Sequence, residues 1–133
     1  MIYTSYFSNL RNFPKDNTII PISISAKAPE WYKGLQYKKL APTYDILMKY
    51  KKDYDKEYYI EHFKEEVLSK LNFRKVMYDI AKMINPNLNI ELPDFALICF
   101  EKPEDFCHRH LVAEWLISNG CKVKEFKKGE NNG

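Results

Sequence analysis

Cys107, His108, Arg109 and His110 stand consecutively. Together they supply a thiol nucleophile, two imidazoles that exchange protons near neutral pH and a guanidinium that grips phosphate or carboxylate with two directed bonds. They follow an apolar run, Phe95 to Phe100, and a short acidic loop, Glu101 to Phe106, and they open a segment with Leu111, Val112, Trp115 and Leu116 at helical spacing. That order predicts a strand, a turn and a helix beginning near Cys107. The first turn of a helix leaves backbone N–H groups unpaired and concentrates positive potential, so an anion docks there and a thiol at that place is biased towards thiolate. Cys107 and His108 are thus the candidate catalytic residues. Arg109 and His110 are candidate ligand residues, with Ser5, Ser23, Ser25 and Trp31, beside Tyr3, expected on the opposite wall.

Each of these residues also has a structural reading. Cys107 suits a small buried position at a helix start, and Arg109 suits a bridge to Glu101, Glu104 or Asp105 in the adjacent loop. Cys99 lies inside the apolar strand and Cys121 after the helix, both as structural residues. A zinc site from Cys99, Cys107, His108 and His110 is not expected, because consecutive helical residues diverge by about 100° and no paired CxxC or HxxxH spacing occurs. His62, between Glu61 and Phe63 on a helix, faces solvent. Walker, GxGxxG, GxSxG and EF-hand patterns are absent, and no cofactor is implied.

The elements that must position these residues can be read in chain order. Ile2 to Phe7 reads as a strand, followed by a helical turn at Ser8 to Phe13 and a turn at Pro14 to Asn17. Thr18 to Ser25 is β-prone, with Ile20, Ile22 and Ile24 on one face; Pro21 removes a ladder donor and places the strand after it or at an edge. Residues 26–42 read as a long ligand-type loop with one helical turn at Pro29 to Tyr32. Thr43 caps a helix running to about Tyr50. Ile60, Phe63, Val67, Leu68 and Leu71 stripe a second helix entered near Asp55. Asn72 caps a third, with Phe73, Val76, Met77, Ile80 and Ile84, stopped at Asn85-Pro86. Phe95 to Phe100, bounded by Pro93-Asp94 and Pro103, is apolar on both faces and reads as the central strand. The helix from Cys107 ends at Asn119-Gly120, and Cys121 to Phe126 forms a last strand. Strands separated by helices predict one α/β domain over residues 1–126, three-layered, with a small, mostly parallel sheet and helices on both faces, followed by a polar tail at 127–133.

The chain has 133 residues with 45% hydrophobic content, enough for one core without metal or disulfide support. No apolar run approaches membrane-spanning length, and the polar start does not read as a signal peptide, so a soluble cytoplasmic protein is expected, with no membrane partner. Three cysteines, an odd number without framework spacing, point to a reducing compartment and no structural disulfide. Between Lys27 and Tyr59 lie eight lysines and five acids, a balance of +3 that equals the net charge of the chain. Eight aromatic residues interleave with them. Lysines among aromatics suit phosphates and bases, and equally suit a solvated surface of amphipathic tyrosines.

The string Cys99 to Leu116 resembles the domain of unknown function 488 family, in which an apolar strand ends in Cys-Phe/Tyr-Glu-Lys and a Cys-His-Arg triplet then starts a helix. The triplet corresponds to Cys107, His108 and Arg109. The likeness extends over residues 2–126, its specific part over 98–116, and the Trp31 to Pro42 segment is similar to a shorter, phage-like subgroup. Members tend to carry Asp-Val-Arg at the end of the second strand, where this chain has Ser23-Ile24-Ser25, so an acid and a base are missing from the expected cleft. The resemblance implies an α/β fold and a shared pocket, without an activity or cofactor.

These readings converge on a soluble domain that binds a phosphorylated or otherwise anionic small ligand, a nucleotide or a nucleic-acid end, at the strand-to-helix junction, with thiol or histidine chemistry. A noncatalytic interaction or ligand-sequestering module and a thiol redox sensor are the alternatives.

Overall fold

A computed structural model describes residues 1–89, 91–102 and 104–127. Among these residues five strands, β1 (Ile2–Tyr6), β2 (Ile19–Ser23), β3 (Leu35–Gln36), β4 (Asp94–Cys99) and β5 (Val123–Glu125), form one sheet in the order β3-β2-β4-β1-β5. Every pairing is parallel. The expected single α/β domain is what the chain forms. β4 lies between β1 and β2, so Phe95 to Ile98 are paired on both edges, and Phe95 to Cys99 are buried, as the apolar run demands.

The strand period of two divides the sheet into two cores. Ile2, Ile20, Ile22, Ile24, Phe95 and Leu97 face one of them, together with the inward stripes of the four α-helices. Tyr3, Ile19, Ala96 and Ile98 face the other, which is closed by Phe7, Phe13, Tyr32 and Phe126. The helices are α1 (Tyr44–Asp53), α2 (Lys56–Glu66), α3 (Phe73–Ile84) and α4 (His108–Ser118). A short 3₁₀ helix, Phe7–Asn12, lies on the second face. The caps are local and match the sequence: Thr43, Asp55 and Asn72 each accept a backbone N–H of the first turn. Gly120 follows α4 at φ +97°, where a side chain would be strained.

Several boundaries differ from the sequence expectation. Residues 26–42 contain β3 and a 3₁₀ turn at Lys38–Leu40, two elements too short to leave a period, while Pro29 to Tyr32 is a single hydrogen-bonded turn. The second helix stops at Glu66 and continues as a 3₁₀ turn, Leu68–Lys70. Pro21 is inside β2, paired with Ala96, and the strand tolerates it for a geometric reason. β3 pairs only with Ile22 and Ser23, so beside Pro21 there is no strand to need its missing donor. Instead the Tyr32 hydroxyl lies 3.2 Å from the Pro21 carbonyl and 2.6 Å from that of Leu35, between which its one proton is shared. Pro103 and residues 128–133 of the expected tail lie outside the described residues.

Tyr37 ties the chain after β3 to α3 by donating its hydroxyl to Asp79 at 2.7 Å, and Lys75 approaches the same carboxylate at 2.8 Å. Lys75 and the Tyr37 hydroxyl hold Asp79 down to about 2, from an ordinary 3.8. Because the folded value is the lower one, this stabilisation is present above pH 3.8 and is lost as pH falls through 2. Asp79→Asn is therefore expected to flatten the acid limb of a stability-versus-pH curve between those values, by less than about 1 kcal/mol because solvent screens the cluster. An unchanged acid limb in denaturant titrations would show the cluster to be inert.

Candidate functional site

The connections leaving β1 and β2 pass over the face of Tyr3 and Phe7, while those following β3 and β4 carry helices over the other. Neighbouring strands whose connections part to opposite faces leave a crevice at their carboxyl ends, the usual ligand position of open parallel sheets. A cavity of about 380 Å³ lies there, within the size range of small-molecule sites. Ser25 and Lys27 line it after β2, and Cys99 and Glu101 at the end of β4. Cys107 and His108 line it from the start of α4, and Tyr50, Lys51, Tyr59 and Phe106 complete a largely aromatic wall with a basic edge.

Cys107 is the N-cap of α4 and has extended backbone, φ −151° and ψ 143°; its side chain makes no cap hydrogen bond. His108, the first helical residue, is buried and its Nε2 lies 2.8 Å from the Ile24 carbonyl. A carbonyl only accepts, so Nε2 carries the proton and Nδ1 keeps a lone pair. Nδ1 lies 3.9 Å from Cys107 Sγ. Burial outweighs the Ile24 bond and pushes the imidazole down to about 4, so it stays neutral at physiological pH.

Cys99 and Cys107 are joined as a disulfide, with Cα atoms 7.2 Å apart, which corrects the expectation of no disulfide. The pairing was invisible to cysteine counting because it depends on the turn that folds α4 back beside the end of β4. Cys99, expected to be structural, belongs to the site. Two sulfurs and a ring nitrogen of His108 lie within 4.8 Å of one another, which corrects the expected divergence for these three residues, while His110 is not in the group. The 100° divergence holds for two helical residues, whereas Cys107 is extended and only His108 is helical.

Arg109 is fully buried beneath this site, not open to it. Its Nε and Nη2 donate to the two oxygens of Glu125 at 3.1 and 2.9 Å, and Nη1 donates to the Glu101 carbonyl and to Cys99 Sγ at 3.1 Å. Thr4 Oγ1 donates to Glu125 at 2.7 Å from the neighbouring strand. Four of the five guanidinium N–H groups are thus engaged within the protein. The bridge is to Glu125 rather than to the acidic loop, because Thr4, Glu125 and Leu97 are in register on the face that α4 covers.

The family model described as the active DUF488-N3 subclade matches residues 14–120. The chain belongs to the DUF488 family. No curated protein and no solved structure matches it. The matched span contains the whole lining of the cavity, from Ser25 to His108.

In this DUF488 domain the other expected wall residues separate. Ser25 lines the cavity, and its Oγ is buried with no hydrogen-bond partner among the described residues. Ser5 and Ser23 point into the second core, where Ser5 accepts from Asn9 and Ser23 from the Ser25 backbone. Trp31, 59% exposed, packs edge-on to Phe7 and does not line the cavity. His110 is also outside the lining, its imidazole lowered by burial first and Arg109 second. Of the interleaved tyrosines, Tyr32, Tyr37 and Tyr59 are core residues. No helix among the described residues is long and apolar enough to cross a membrane. Glu125 carried one readable signal, an acid in an otherwise inward-facing register of a terminal strand.

Proposed function

We propose that this domain binds a small phosphorylated ligand in the cavity at the carboxyl ends of β2 and β4, where Cys107 in its dithiol form faces the ligand beside the neutral His108 Nδ1. The observation carrying the reading is that a helix start without a side-chain cap, the Cys107 sulfur, a neutral imidazole acceptor, an unpartnered Ser25 hydroxyl and the residues Lys27 and Lys51 line one cavity. Backbone N–H groups and the lysines favour phosphate, and Tyr50, Tyr59 and Phe106 favour a ring attached to it, as in a nucleotide or a nucleic-acid end. Arg109 acts as a positioning residue beneath. The Cys99–Cys107 pair favours a second reading, a thiol–disulfide couple acting as a redox sensor.

Iodoacetamide labelling of reduced protein, mapped by mass spectrometry, tests both. Cys107 is expected to alkylate faster than Cys121, whose thiol is raised by burial. A nucleoside monophosphate at about ten times its dissociation constant is expected to slow Cys107 labelling about tenfold, and Lys27→Ala with Lys51→Ala to remove that protection. A 5′-phosphorylated oligonucleotide distinguishes a nucleic-acid end from a free nucleotide. Labelling unaffected by any phosphorylated probe, but blocked when the protein is first oxidised with glutathione disulfide and restored by reduction, would leave the redox reading.

A further inference from the structure

His108 shows how the cluster is prepared for a ligand other than an organic anion. Its Nε2–H is fixed on the Ile24 carbonyl, so the lone pair of Nδ1 points towards the sulfurs in a single tautomer. Metal-bound histidines are held in this way, with the far N–H donated to a carbonyl or carboxylate. Arg109 adds a second outer contact, its Nη1–H on Cys99 Sγ, which favours the anionic sulfur that a metal requires. The guanidinium's own charge is balanced by Glu125, so the contact adds a donor without an uncompensated cation.

The backbone spacing points the same way. The Cα atoms of Cys99 and Cys107 are 7.2 Å apart, beyond the roughly 4.4–6.8 Å that a direct sulfur–sulfur link ordinarily spans. Two sulfurs each about 2.3 Å from a shared ion bridge a wider span comfortably. All three donors are buried, and the cavity with the unpartnered Ser25 hydroxyl opens beside them. Three donors and one open direction is the arrangement of a reactive rather than a purely structural zinc centre.

We infer that the dithiol form of this protein binds Zn²⁺ through Cys99 Sγ, Cys107 Sγ and His108 Nδ1, leaving a fourth coordination position open to the cavity. On binding, both thiols lose their protons to solvent and His108 gives none, so each ion releases two protons. The disulfide form lacks the thiolates and does not bind. This inference goes beyond the phosphorylated-ligand reading and does not depend on it.

The 133-residue chain, reduced and free of oxygen, is titrated with Co²⁺ as a spectroscopic stand-in for Zn²⁺. One equivalent is expected to produce sulfur-to-cobalt charge-transfer bands and the intense visible bands of a four-coordinate site, all displaced by Zn²⁺. Cys99→Ser and Cys107→Ser should each remove charge-transfer intensity, and His108→Ala should weaken binding by more than about tenfold, since loss of even an outer partner costs about 10–100-fold. Cys121→Ser should change nothing. X-ray absorption of the Zn²⁺-loaded wild-type protein needs no variant and should give two sulfur neighbours at about 2.3 Å and a nitrogen at about 2.0–2.1 Å. No cobalt bands in fully reduced protein, or bands that survive both cysteine variants and vanish with Cys121→Ser, would overturn the site. Ligand protection of Cys107 is measured with a chelator present, so the two readings fail separately.

Discussion

Arg109→Ala is expected to lower folding stability by about 3–5 kcal/mol, the range found when one partner of a buried ion pair is removed. The substitution leaves the Glu125 carboxylate among buried groups with the Thr4 Oγ1 donor, and frees the Glu101 carbonyl and Cys99 Sγ. It also empties the volume of a fully buried side chain. Arg109→Lys should fall between wild type and alanine. One ammonium cannot reach both oxygens of Glu125 and the far side of the pocket floor, where a planar fork does. The double variant Arg109→Met with Glu125→Leu should recover most of the loss, because it removes the stranded charge together with its partner. Urea denaturation checks all three. A change below about 0.5 kcal/mol for Arg109→Ala, the scale of ordinary surface substitutions, would mean that the guanidinium does not hold the fold and is free to bind a ligand.

Leu97→Ala is expected to cost about 2–5 kcal/mol, for transfer of lost methyl groups plus the cavity they leave. Leu97 is fully buried at the middle of β4, in register with Ile22 on one side and Thr4 on the other, facing the helical core. Neither neighbouring strand can close the gap without shifting the ladder, so little relaxation is available. The denaturation midpoint should fall with an unchanged slope. Phe100→Ala, one residue past β4 and 52% exposed, should cost less despite the larger side chain removed, because half of that surface is already in water. The opposite order would displace β4 from the centre of the sheet.

Much of the architecture follows from local chemistry. The stripes of α2 and α3, the caps Thr43, Asp55 and Asn72, the stop at Gly120 and the two-sided apolar run of β4 are all consequences of neighbours a few residues apart. So is the junction at Cys107, because a strand, a turn and a helix in that order put a helix start at a strand's carboxyl end. Short elements escaped. β3 has two residues, and its existence depends on pairing with Ile22 and Ser23, not on its own composition.

The roles within the site were decided by register. The sequence placed Arg109 and Cys107 side by side and offered both to a ligand, yet they take opposite parts. Arg109 points down because β5 lies beside β1 and presents Glu125 on the face under α4, while extended Cys107 and helical His108 point into the cavity. Cys99 joins them from β4 and Ser25 from beyond β2, whereas Ser5 and Ser23 turn into the other core. A strand alternates its side chains every residue, so parity along the strand was readable in advance. Which parity faces α4, and which strand lies next to which, is set only when the long-range pairs form.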